Sequence, residues 1–178
     1  MQTIEEKIKE NEINLQGKIE GLARVLPLLL PKYGEDLWET YFEAVLEMAD
    51  RSREARAVED LASFAKHGLC PADLRDVVKW YEITDEEDWE HNPIFGLQDT
   101  EAIEATEHRC VFKVTRCRYA EPWHEHGRPD IGYQIHCRTD SAWWDRPAWN
   151  PEVRFKQPGT LMQGDEHCLF IQYLPEDE

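Results

Sequence analysis

A chain of 178 residues, 41% of them hydrophobic, is long and apolar enough to bury a core of its own. Its formal charge of −17 leaves no bulk positive surface for phosphates, which excludes nucleic acid and disfavours anionic membranes as partners. A charge of this size ordinarily serves solubility, and one or two local Arg residues can still receive a small anion.

The acidic start, Met1-Gln2-Thr3-Ile4-Glu5-Glu6, lacks the apolar stretch of a secretory signal. Thr3 and Glu6 form a capping box, and Ile4, Ile8, Leu15, Ile19, Leu22 and Leu26 recur at helical spacing. A helix is therefore expected to about Leu30, broken by Pro31 and Gly34. The run Val25–Leu30 is too short to span a bilayer, and Pro27 interrupts it. A second helix carries Leu37, Trp38, Tyr41, Phe42, Val45 and Leu46 on one broad face. These two helices suit core packing or subunit contact, so a homo-oligomer through the N-terminal helices is one expected arrangement. Arg51–Glu59 reads as a charged linker or a continuing helix, and Leu61–Lys66 as helix closed by Gly68. Pro71 suits the first turn of another helix bearing Leu74, Val77, Val78 and Tyr81. Thr84–Asp88 reads as an acidic turn, with loop to about Thr100.

The pattern changes near Ile103. Arg109–Arg116 alternates with a period of two, which predicts a strand. Tyr119–His126 predicts a short helix stopped by Gly127, and Pro129 opens another that runs to about Trp144. Val153 and Phe155 mark a further strand. Thr160–Met162 and Cys168–Tyr173, joined by a turn at Gln163–Glu166, read as a hairpin. Helices first and strands later predict an α+β fold, with N-terminal helices packed on a C-terminal antiparallel sheet. The expected organisation is a mainly helical part, residues 1–100, and an α+β part, 101–178, within one compact domain.

Five cysteines, an odd number, favour reduced thiols in the cytoplasm over a disulfide framework. Three of them lie in the last third with two carboxylates, and these side-chain types serve as nucleophiles, bases and ligands. Cys137 and Asp140, three apart on the predicted helix, share a face, with Tyr133 one turn earlier. A carboxylate raises the pKa of a neighbouring thiol, so a nucleophilic Cys137 needs a base or cation nearby. Arg116, Arg118, Arg138 and His136 are near in sequence. Cys117 ends the predicted strand, where loops open onto clefts. The plainer alternative for each Cys is a small buried hydrophobe, and for Asp165 after Gly164 a turn former. Without paired Cys or His ligands on a knuckle or one helical turn, neither metal nor cofactor is expected. Trp143, Trp144 and Trp149 suit core or subunit contact, or the wall of a pocket over Cys137.

The run Arg116-Cys117-Arg118-Tyr119-Ala120-Glu121 resembles the Cys-x-Tyr-Ala-Glu stretch of the L-2-amino-thiazoline-4-carboxylic acid hydrolase family. Ile131–Asp140 resembles that family's His-Cys-x-x-Asp helix. Asn150-Pro151, Thr160-Leu161-Met162 and Gly164-Asp165 through Phe170 are similar to its closing segments, in the same order. Trp143-Trp144 and Pro147 depart from the pattern, where plainer helix is expected. The resemblance implies hydrolytic opening of a thiazoline-like cyclic amidine. It implies Cys137, Asp140, Cys117 and Asp165 as catalytic candidates. Arg118 or Arg138 would hold a substrate carboxylate, and Tyr133, His136 and Trp144 would line the site. The ending Gly-Asp-x-x-Cys-x-Phe is also similar to that of 4-vinyl reductase-type domains, which implies the alternative of a non-catalytic small-molecule- or metal-binding module.

Overall fold

The computed structural model describes residues 2–175, apart from the side chain of Asp88. Met1 and residues 176–178, the outer ends of the two expected parts, lie outside them. Three helices lead the chain: α1 (Ile4–Tyr33), α2 (Asp36–His67) and α3 (Leu74–Asp88). Four strands follow, interrupted by short helices: β1 (Gln98–Ala105), β2 (Arg109–Cys117), β3 (Arg154–Lys156) and β4 (Cys168–Tyr173). The sheet is antiparallel throughout, in the order β1-β2-β4-β3. The expected α+β class, N-terminal helices on a C-terminal antiparallel sheet, is the observed one.

The capping box forms as expected. The Thr3 hydroxyl accepts from the Glu6 N–H, and the Glu6 carboxylate accepts from the Thr3 N–H. The helix does not stop at Leu30 but runs through Pro27 and Pro31 to Tyr33. Leu26 and Leu30 pack against the core, and this tertiary contact offsets the backbone bonds that the prolines remove. Gly34, at φ 63°, then closes the helix by donating to the Leu30 carbonyl.

Arg51–Glu59 is continuing helix within α2, whose sequence contains neither Gly nor Pro. The third helix starts at Leu74, capped by the Asp73 carboxylate on the Arg75 N–H, so Pro71 lies in the turn before it. Thr84–Asp88 is the end of this helix rather than the acidic turn expected, and the Thr84 hydroxyl bonds back to the Trp80 and Tyr81 carbonyls. Strand β1 occupies Gln98–Ala105, partly where loop was expected. It is an edge strand exposed along nearly all its length and so shows little hydrophobic alternation.

In register, Cys110 faces Gln172, Phe112 faces Phe170, and Val114 faces Cys168 across β2 and β4. These positions share one face, and that face meets the helices. Ile19, Phe64, Leu74, Val77 and Leu97 are buried there with Phe112, Val114, Cys168 and Phe170. The expected Thr160–Tyr173 hairpin does not form. Leu161–Gln163 is a single 3-10 turn, and the neighbours of β4 are β2 and β3. A Thr cap explains the difference: the Thr160 hydroxyl accepts from the Gln163 N–H and winds the segment into a turn.

Candidate active site

The segment between β2 and β3 builds one wall. Short helices α4 (Ala120–Glu125) and α5 (Pro129–Gly132) lead into a π-helical turn, Tyr133–Cys137, followed by α6 (Asp140–Trp144). The π turn is closed by the Arg138 N–H donating to the Tyr133 carbonyl at 2.9 Å. Its wider winding interrupts the regular helix expected over Pro129–Trp144 and sets the local directions of Cys137 and Asp140. Close packing fixes this wall. A Cβ on Gly132 would meet Met162 Sδ and the Trp123 ring at 2.6 Å.

Cys117, Cys137, Asp140 and Cys168 come together here. Asp140, Cys117 and Cys168 each lie near enough to oppose ionisation of Cys137. Asp140 acts likewise on Cys117, and both act on Cys168. Cys117 comes from the end of β2, Cys168 from the start of β4, and the other two from the helical wall.

A single loop, 157–165, touches most of the group. Gln157 Nε2 donates to Asp140 Oδ2 at 3.0 Å. The Thr160 side chain hydrogen-bonds Cys137, and the Leu161 N–H points at Cys168 Sγ at 3.2 Å. Asp165 accepts from the Thr160 N–H at 2.7 Å. The carboxylate of Asp165 thus shapes the loop through one oxygen, and it also lies near enough to Cys168 to oppose ionisation of that thiol. Gln157, Thr160 and Tyr119 are not among the site candidates of the sequence, although Tyr119 and Thr160 lie in segments that carry the family resemblance and Thr160 in a cap-and-turn pattern.

Electrostatics divide the group sharply. Burial pushes the Asp140 carboxyl up to about 7, with the Gln157 bond acting in the opposite direction. Burial, then Asp140 and the other two thiols, push the Cys137 thiol far above its ordinary range. Cys117 is raised by burial, and Cys168 by burial to about 11. The Tyr119 phenol is raised by burial to about 12. At neutral pH the thiols and the phenol are therefore protonated, and Asp140 alone in the group titrates near neutrality. Burial also lowers His136 to about 4, so its ring is neutral. The His136 and Trp123 rings lie 6.3 Å apart, and His136 Nε2 and Trp123 Nε1 are buried with no hydrogen-bond partner among the described residues.

The remaining candidates lie at the margins. Arg118 pairs with Glu12 of α1 and with Asp99 at 2.6 Å. Arg138 pairs with Glu39 of α2 at 2.7 Å and lies over the Phe42 ring. Both guanidinium groups are thus engaged with the protein's own carboxylates. Tyr133 is half-buried against the core. Trp144 packs among Tyr81, Phe155 and Phe170, on the sheet face beyond the thiols. Among the described residues, no group of three or more His, Cys, Asp or Glu side chains is arranged to hold a metal ion. No helix of the described residues is long and apolar enough to cross a membrane.

The family model for L-2-amino-thiazoline-4-carboxylic acid hydrolase matches residues 33–171, which include the whole cluster. The chain belongs to that family. For the L-2-amino-thiazoline-4-carboxylic acid hydrolase family, the match extends well beyond the C-terminal third that carried the resemblance, into α2 and α3. No curated protein matches the chain. One solved structure similar in chain path is a trafficking protein particle complex subunit 3 from Naegleria fowleri, covalently bound to palmitic acid. It is 12% identical with a TM-score of 0.46, over 92% of this chain and 96% of that one.

Proposed function

We propose that the protein is a hydrolase opening a small cyclic amidine of the thiazoline type, with Cys137 and Asp140 as its reacting pair. The observation that carries this reading is a carboxyl titrating near 7 beside a thiol otherwise held protonated. Such a carboxylate suits a general base, since its pKa lies near the operating pH. Burial first, and the charge of Asp140 second, disfavour the Cys137 thiolate, and an amidinium entering beside Asp140 offsets the second. Asp140 then removes the thiol proton, and sulfur attacks the ring carbon between nitrogen and sulfur. The ring C–S bond breaks, the departing thiolate takes a proton, and water hydrolyses the adduct to a carbamoyl product. Cys117 and Cys168 line the reacting pair, and the bond from Thr160 helps to orient Cys137.

Asp165 supports this site by holding the loop. A substrate carboxylate would reach Arg118 or Arg138 only by exchange with Glu12, Asp99 or Glu39. Cys137→Ser and Asp140→Asn should each cut turnover of 2-amino-thiazoline-4-carboxylate at least about a hundredfold while circular dichroism stays unchanged. Turnover near the wild-type level in both variants would refute the assignment.

The second expected partner is another copy of the chain. Ile13, Val25 and Leu28 on α1, with Met48 and Val58 on α2, are exposed apolar side chains suited to helix-to-helix association. Sedimentation equilibrium should show a dimer, and a monomer at micromolar concentration would remove this part of the proposal.

A further inference from the structure

A cavity of about 450 Å³ opens beside the thiol cluster, between α3, the 92–98 segment and the helix-facing side of the sheet. It touches neither Cys137 nor Asp140, yet it adjoins their site. Val114, in its wall, faces Cys168 in the sheet register. Gln98, also in the wall, lies 4.0 Å from Cys117 Sγ. Trp144 lies one helical turn after Asp140. The volume is that of an ordinary small-molecule site.

The chemistry of its lining is selective. Tyr81, Phe95, Phe112, Trp144 and Phe170 supply aromatic surface. Four of them form one contiguous wall: Tyr81 meets Phe112 edge-on at 5.5 Å and Trp144 at 5.4 Å, and Trp144 meets Phe170 at 5.4 Å. Asp85, one turn after Tyr81 on α3, stands at the solvent-reachable rim. No Lys, Arg or His lines the cavity, and no hydrogen bond or ion pair among the described residues engages the Asp85 carboxylate. Partial burial without a cation beside it raises that carboxyl above its ordinary value.

The aromatic rings supply apolar surface for an organic body, and the carboxylate at the rim adds a full negative charge with no lining cation to neutralise it. The geometry points to a binding site for an organic cation: an apolar or aryl ammonium whose body lies against Tyr81, Phe112, Trp144 and Phe170 and whose charge faces Asp85. A ligand bearing a carboxylate is disfavoured, because nothing basic lines the cavity. The inference does not rest on the hydrolase reading, since it concerns binding alone.

Calorimetric titration of the full chain with benzyltrimethylammonium, benzyl alcohol and phenylacetate tests it, with Trp fluorescence as a second readout. The cation should bind saturably at one site, at least about tenfold tighter than the neutral alcohol, with phenylacetate weakest. Asp85→Asn should weaken the cation about tenfold and leave the alcohol unchanged. Thr100→Lys, an exposed lining position, should weaken the cation as well by placing a like charge at the rim. Absence of saturable binding by the cation would overturn the proposal. So would equal binding of cation and alcohol, or unchanged affinity in both variants.

Discussion

Asp140 and His136 stand four residues apart on one helical stretch, and their titrations act on stability in opposite directions. Asp140 is raised from 3.8 to about 7, so its neutral form is the one the fold favours. Its contribution is present below 3.8 and is lost as pH rises through 7. His136 is lowered from 6.5 to about 4, so its contribution is present above 6.5 and is lost as pH falls through 4. Between those limits the two largely offset. Asp140→Asn removes only the first. In urea unfolding, the stability of that variant relative to wild type should rise between about pH 4 and 7, since every other shifted group is common to both proteins. At about pH 8 the variant should be more stable than wild type, by on the order of 4 kcal/mol at most. Coincident curves for the two proteins would show that Asp140 is not buried as described. The thiols follow the same physics: Cys70 is exposed, whereas Cys110, Cys117 and Cys168 are buried. A maleimide should label Cys70 in the native protein and reach those three only on unfolding. Rapid native labelling of Cys117 or Cys168 would contradict that burial.

At the scale of elements, the π turn, α5 and the 157–165 loop hold the cluster in place through contacts that tolerate little change. Gly132 is the tightest of these, pressed between Trp123 and Met162. Gly132→Ala should destabilise the protein by about 1–3 kcal/mol, read as a lowered denaturation midpoint, and disturb Cys137 through the adjoining turn. An unchanged midpoint would mean that the wall has room to move. Sequence periodicity made much of this scale legible. The capping box, β2, the short helix after Tyr119, β4 and the order of helices before strands all follow from local pattern. The shared neighbourhood of Cys137 and Asp140 was legible in their spacing, and Cys117 in its place at a strand end. What escaped had tertiary causes. Core packing carried α1 through two prolines, the exposed edge of β1 hid its alternation, and the Thr160 cap replaced a hairpin with a turn. Gln157 and Thr160 reach the site from a loop distant in sequence, so local periodicity gave no means of placing them. The same holds for Arg118 and Arg138, whose partners Glu12 and Glu39 lie about a hundred residues away along the chain.

At the scale of the molecule, the N-terminal helix is tied to the cavity and the site. Asn11 is buried, and its amide donates to the Asn92 and Phe95 carbonyls at 3.1 and 3.0 Å. Its neighbour Glu12 holds Arg118, the residue after Cys117. Replacing Asn11 leaves both carbonyls without that donor, a cost of about 1–3 kcal/mol. Asn11→Ala should therefore lower the thermal midpoint and speed hydrogen exchange in residues 92–98. Unchanged exchange there would separate α1 from the cavity wall. The charge of −17 also acts over the whole molecule: it attracts cations and repels anions, so association of a cationic ligand should slow as salt is added.

In the proposed reaction, Asp140 is the group that sets the protonation of the Cys137 site. The most direct test of that role is the pH dependence of kcat/KM for ring opening of 2-amino-thiazoline-4-carboxylate. The wild-type rate should rise through about pH 7 and level off above it, tracking Asp140 ionisation. In Asp140→Asn that rise should vanish and a low residual rate remain. A wild-type profile flat through pH 7, or the same inflection in the variant, would contradict the assignment.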